Sequence, residues 1–367
     1  MVRRVLVGAL AALAAMVMTA TAASAVVRPF DPAVPVVGGC GPGLGDAVVV
    51  TSDGSARGFV DCPTASGPRI RFFSRGAGGT VNPSEPTGFT GNVLGVAYDS
   101  TATYVLFFTD SEIRIGKRTN AGVYSSRAVD SWRGVVPPTG DVIALNGQWF
   151  GVWSKQVGPG GEFAQTELFQ AGSAYPLRRI TTNASVDDFE PSLAYSGTIP
   201  VLVWTRLQNP AVPGPSDLWV AKFIGGGWQS RLFASVGVNN YLPDVRITGG
   251  LTFVTWGRDG RIVVASNRTG SFASHTFNTG GFGSKVAAST SAGFVTNVFV
   301  TWTVFGATDA GNRVFFAETA SNGGVTGVWS GAYISNPSTA AFGIGAFAGK
   351  ATVAFRSDTT VYLRSQS

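Results

Sequence analysis

From residue 46 onward, short apolar runs alternate with clusters of Gly, Asn, Asp and Pro, and no stretch holds a helical apolar period. Alternation with period two over runs of about four to eight residues reads as β-strand. Residues 242–272, LPDVRITGGLTFVTWGRDGRIVVASNRTGSF, show the unit most clearly, as three strands and the start of a fourth. Aligned on Trp256, which closes the second of these strands, equivalent aromatics are Phe59, Phe108, Trp153, Trp204, Trp302 and Phe355. Their spacings are 49, 45, 51, 52, 46 and 53 residues. A third strand follows each one, beginning at Arg69, Glu112, Thr166, Asp217, Arg261, Arg313 and Thr360. In several copies a Gly-containing turn then leads to Tyr124, Trp228, Phe272 or Trp329, the mark of a fourth strand.

Four antiparallel strands repeated at this period predict an all-β, seven-bladed β-propeller, with six blades the alternative. The blades run over about 44–90, 91–135, 136–185, 186–237, 238–283, 284–335 and 336–367. One blade cannot bury its own apolar faces, so the array has to close into a ring. The last copy stops after its third strand, and the segment Ala33 to Gly39, short, apolar and bearing Pro35, is expected to complete it as an edge strand.

The order of residues in EPSLAYSGTIPVLVWTR (190–206) and LPDVRITGGLTFVTWGR (242–258) resembles the degenerate repeat of the sialidase-like, or BNR-repeat, propellers. That resemblance implies a propeller and a glycan-directed role, in a superfamily that includes hydrolases, lectins and proteins without activity. The Asp box of these proteins has no intact copy: SNGGVTGVWS (321–330) carries Asn for Asp and an insertion before Trp329, and GGGWQS (225–230) is a further remnant. No Arg-Ile-Pro signature occurs, no tyrosine stands out as a nucleophile, and seven repeats are counted where those sialidases have six.

In a propeller, the start of each first strand and the end of each second strand reach the same mouth of the central channel. Twelve residues before the aromatic stand Asp141, Ser192 and Asp244; two residues after it stand Lys155, Arg206 and Arg258. Glu190 supplies the acid in the fourth blade. These acid and base positions, with further acids at Asp46, Asp61 and Asp110, predict either cross-strand ion pairs at hairpin ends or a polar funnel for a ligand rich in hydroxyls or carrying a carboxylate. Paired carboxylates also serve glycoside hydrolysis when roughly 5–10 Å apart, and Asp244 and Glu190, on adjacent blades, are the candidates. The last two blades depart from the pattern, with Lys285, Val304, Gly343 and Ser357 near the equivalent places.

His275 falls on an outer strand, which disfavours a Ser-His-Asp triad. The acidic stretches VDDFE (186–190) and DAGN (309–312) lack calcium-loop spacing, so neither a metal nor another cofactor is expected. Trp132, Trp149 and Trp219 are read as packing residues or as sugar platforms.

Composition narrows the partners. Arg3, Arg4, an apolar run from Val5 to Val17 and Ala23-Ser24-Ala25 form a secretory signal peptide over residues 1–25, leaving a single propeller domain over 26–367. Its removal leaves 25 basic against 21 acidic residues, too weak and too dispersed a field for nucleic acid. Cys40 and Cys62 in an exported chain are expected to form a disulfide. The sequence thus predicts a secreted monomer that recognises an extracellular glycan, ahead of a protein ligand, without catalysis; the alternative is a divergent sialidase-like glycoside hydrolase. No membrane association is expected once the leader is gone.

Overall fold

The computed structural model describes residues 27–40, 46–51, 53–157, 165–183, 185–208, 215–235, 237–306, 311–320, 322–336 and 339–367. The leader therefore lies outside the described residues, as do Asp309 and Ala310 of the DAGN stretch.

The chain forms seven four-stranded antiparallel sheets arranged as a seven-bladed β-propeller. Strand β1 (Val34–Val37) precedes blade one, which comprises β2 (Asp46–Val50), β3 (Ala56–Cys62), β4 (Arg69–Arg75) and β5 (Val81–Thr90). Blade two is β6 (Asn92–Tyr98), β7 (Ala102–Phe108), β8 (Glu112–Thr119) and β9 (Tyr124–Ser131). Blade three is β10 (Gly140–Leu145), β11 (Gln148–Gln156), β12 (Thr166–Gly172) and β13 (Arg178–Arg179). Blade four is β14 (Asp187–Ser196), β15 (Ile199–Leu207), β16 (Ser216–Ile224) and β17 (Gly227–Ala234). Blade five is β18 (Asn240–Thr248), β19 (Leu251–Arg258), β20 (Arg261–Ser266) and β21 (Ala273–Gly280). Blade six is β22 (Phe282–Ser291), β23 (Phe294–Val304), β24 (Arg313–Thr319) and β25 (Ser330–Tyr333). Blade seven is β26 (Thr339–Phe347), β27 (Lys350–Ser357) and β28 (Thr360–Ser365), completed by β1.

Burial follows position in the blade. Second strands are covered on both faces by neighbouring blades, so every residue of β7 is buried, whereas the outer strands β9 and β17 hold no buried residue. Seven apolar clusters among the described residues each join two adjacent blades, so the core is a ring of interfaces.

The expected closure is present. Val34 and Pro35 of β1 face Leu363 and Tyr362 of β28, and the ladder is irregular beyond Pro35, where proline offers no N–H. Cys40 and Cys62 are disulfide-bonded with Cα atoms 4.4 Å apart, and Cys40 N–H donates to the Thr359 carbonyl at 2.9 Å. The bond ties the closing segment to the end of β3. At the same seam Gly343 and Gly345 lie against Val48 and Val50 so closely that a Cβ at either would collide with the valine side chain.

The alignment on aromatics is corrected in two blades. Trp153 packs toward the preceding blade, with Leu106 and Phe108. In blade two the residue facing backward, against Phe59 and Phe72, is Phe107, while Phe108 faces forward. Phe59 itself faces blade two and not the seam. A one-residue offset along a strand turns a side chain to the other face, and aromatics on both faces of β7 hid it.

Candidate functional site

The channel is lined by the seven first strands, and at it lies a cavity of about 360 Å³. Asp141, Glu190, Asp244, Arg246 and Lys285 line it together. Asp141 stands on a regular ladder, whereas the backbone that aims Glu190, Asp244 and Lys285 is a repeated bulge. The first-strand ladder skips between Phe189 and Ser192, between Tyr241 and Asp244, and between Phe282 and Lys285. In each skip one residue is left-handed: Glu190 (φ 54°), Leu242 (φ 50°) and Gly283 (φ 62°). In blades four and five the next residue is Pro191 or Pro243, which has no N–H to leave unpaired at the bulge. The P-[SD] element of the repeat is thus the bulge that turns the channel residues inward.

Beyond the bulge, consecutive blades are stitched together across the channel wall. Asp141 Oδ2 accepts from Leu193 N–H at 2.9 Å, Ser192 Oγ from Val245 N–H at 3.1 Å, and Asp244 Oδ2 from Val286 N–H at 2.9 Å. Asp141 Oδ1 also accepts from its neighbour Val142 at 2.8 Å. Glu190 Oε2 accepts from Leu242 N–H at 2.6 Å and Thr205 Oγ1 at 2.8 Å. Asp244 Oδ1 faces Lys285 Nζ at 3.4 Å and Arg246 Nη2 at 3.6 Å.

These contacts set the protonation balance. Burial pushes the Asp141 carboxyl above its usual range, against the opposing pull of Arg246 and the Leu193 N–H. Burial likewise raises Glu190, opposed by the Leu242 N–H, Thr205 and Lys285. Arg246 is held firmly protonated, first by Asp244 and further by Asp141.

Asp141, Glu190 and Asp244 therefore converge as expected from position, but the proposed acid–base couples with Lys155, Arg206 and Arg258 do not form. Each of those cations lies on a blade face and closes a clamp around a tryptophan. In blade four Asp188 accepts from Trp204 Nε1 at 2.7 Å and from Arg206 Nε and Nη2 at 2.7 and 2.9 Å, while the guanidinium sits 4.3 Å from the Trp219 ring. In blade five Asn240 Oδ1 takes Trp256 Nε1 at 3.0 Å and Arg258 Nε at 3.1 Å. For blade three the acceptor comes from the preceding blade: Asp130 of β9 takes Trp153 Nε1 at 3.0 Å and Lys155 Nζ at 2.6 Å, with Lys155 over Phe169 at 4.2 Å. The reason is parity: residues two apart share a face, so a cation two after a buried tryptophan follows it onto the blade face.

Blade six lacks the clamp. Gly281 and Val304 stand where the acceptor and the cation would be, and Trp302 Nε1 is buried with no hydrogen-bond partner among the described residues. Asp61 is buried beside Arg356, Asp110 is exposed, and Trp219 and Trp132 are packed under Arg206 and against Phe108.

Arg246 was missed although it sits two residues from Asp244 and so on the same face. Lys285, which faces Thr301 as Asp244 faces Thr255, lies further back from Trp302 than the count predicts, because the β22–β23 hairpin is longer than that of blade five and carries one extra irregularity between Ser289 and Thr290.

No family model and no curated protein sequence matches the chain. Among solved structures, it is similar to an α-L-arabinanase of Penicillium chrysogenum complexed with arabinobiose, at 11% identity over 79% of this chain and 99% of that one, with a TM-score of 0.51. It is similar to the GH93 α-L-arabinofuranosidase of Fusarium graminearum, also solved with arabinobiose, at 10% identity over 91% and 97% of the two chains, TM-score 0.53. It is also similar to the β-propeller domain of the Trilobed protease of Pyrococcus furiosus, at 7% identity over 90% and 96%, TM-score 0.51. At these identities the likeness is one of fold. The resemblance to sialidase-like propellers holds as one of fold: the chain is a β-propeller.

Proposed function

We propose that the protein is a secreted propeller that binds an extracellular glycan at the channel mouth without turning it over. The observation that carries this reading is the commitment of the channel carboxylates. Asp141 has both oxygens on backbone N–H groups, and Asp244 has one on Val286 N–H and the other facing Lys285 and Arg246. A carboxylate so engaged is poorly placed to act as nucleophile or base, yet fixed acceptors beside a guanidinium and an ammonium suit the hydroxyls of a sugar. Glycan-acting structural neighbours support the ligand class, and the disulfide and apolar leader support export.

The hydrolase reading has one observation in its favour. Glu190 is held above the usual carboxylate range by burial, as a general acid must be. A glycan array and a panel of fluorogenic glycosides, arabinofuranosides included, separate the two. Saturable binding lost in Arg246→Ala, with no sugar released, supports recognition; release abolished in Glu190→Gln overturns it in favour of hydrolysis.

A further inference from the structure

A second groove lies away from the channel, between blades two and three at the end of the ring where the inner hairpins turn. Two adjoining cavities, of about 430 and 360 Å³, share Arg127, Trp149 and Ser173 in their walls. Its opening has a structural cause. The outer strand β13 has only two residues and pairs only Phe169 and Gln170, so the end of β12 is left without an outer neighbour and the chain from Ser173 to Leu177 loops away. The opposite wall is formed by β8 and β9.

Four cations of these two blades have carboxylate partners: Arg114 with Glu112, Arg118 with Glu85, Lys155 with Asp130 and Arg179 with Glu167. Arg178, beside the groove, donates to the Gly226 carbonyl at 3.2 Å. Lys117 and Arg127 line the groove and have no carboxylate partner among the described residues, and no acid lines either cavity. Both are held beside aromatic rings, Lys117 Nζ 5.6 Å from the Tyr104 ring and Arg127 5.7 Å from that of Trp149. Tyr175 is partly exposed at the rim, and serine hydroxyls complete the walls.

From this arrangement we infer that the groove is a binding site for an acidic saccharide, a sugar bearing sulfate or carboxylate. The two cations supply charge-assisted hydrogen bonds to the anion, and the hydroxyls and aromatic edges meet the ring and its hydroxyls. Each cavity falls in the range of about 300–1,000 Å³ that small ligands occupy. This site is independent of the channel reading, because the two share no residue.

The test is calorimetric titration of the intact protein with a sulfated heparin disaccharide, its unsulfated counterpart, inorganic sulfate and a short poly-glutamate peptide. Saturable binding of the sulfated disaccharide is expected, weakened by salt and reduced roughly tenfold or more in the surface variant Lys117→Gln/Arg127→Gln. Arg246→Gln in the channel is expected to leave it unchanged. Equal affinity for inorganic sulfate, preference for the peptide, equal affinity for the unsulfated sugar, undiminished binding by the double variant, or no binding at all overturns the assignment.

Discussion

The tryptophan clamp allows a prediction for which the protein supplies its own control. Asp188 is buried and accepts three hydrogen bonds, two from Arg206 and one from Trp204. Asp188→Ala leaves a guanidinium whose side chain is only 14% exposed without its counter-charge, and removing one partner of such a buried pair costs about 3–5 kcal/mol. It also orphans the indole N–H, worth about 1–3 kcal/mol. Because both groups share one acceptor, the costs overlap and the expected loss is about 4 kcal/mol. Asp188→Asn keeps one oxygen, and blade five performs the same clamp natively with Asn240. Its cost is then about 1–2 kcal/mol, the value of a weakened charged hydrogen bond. Urea unfolding followed by tryptophan emission reads the difference, and calorimetry should show Tm falling by about 5 °C for Ala against about 2 °C for Asn. If the two variants lose equal stability, or Ala loses less than about 1 kcal/mol, the clamp does not hold the blade and the repeated W-x-[KR] element needs another explanation.

Three further outcomes are expected. Glu190 is raised in the folded state, so the fold binds its proton more tightly than the unfolded chain does; stability should fall as pH rises from the ordinary carboxylate range through the raised value and then level off, and Glu190→Gln should flatten that fall in Tm scans from acid to neutral pH. Removing the Cys40–Cys62 bond, whose cysteines are 22 residues apart, by a double change to serine should cost about 3 kcal/mol in the chain-entropy view, measured as the shift in urea midpoint between the two proteins. Gly345→Ala should cost about 1–3 kcal/mol by forcing Val50 aside at the seam, and the same change at exposed Gly38, which has open space around it, should cost little.

What the sequence determined alone is the repeat and its closure. Seven aromatic-centred hairpins at near-constant spacing require a ring, the short Pro35 segment has the character of an edge strand, and the two cysteines flank ends that antiparallel pairing must join. These features are legible because strand alternation and hairpin pairing are local, with partners a few residues apart. Convergence of Asp141, Glu190 and Asp244 was legible for the same reason, from their place in the repeat.

Which charges meet was decided by tertiary structure. Lys155, Arg206 and Arg258 stand opposite the acids by count, but face parity sends them to the tryptophans, and Asp244 finds Lys285 on the next blade 41 residues away. Contacts between blades depend on bulges that shift register by one residue and on the angle at which one sheet meets the next. Neither quantity is written in the alternation of a single strand. The groove beside Trp149 is of the same kind: it exists because one outer strand stops after two residues, which only the packed ring shows.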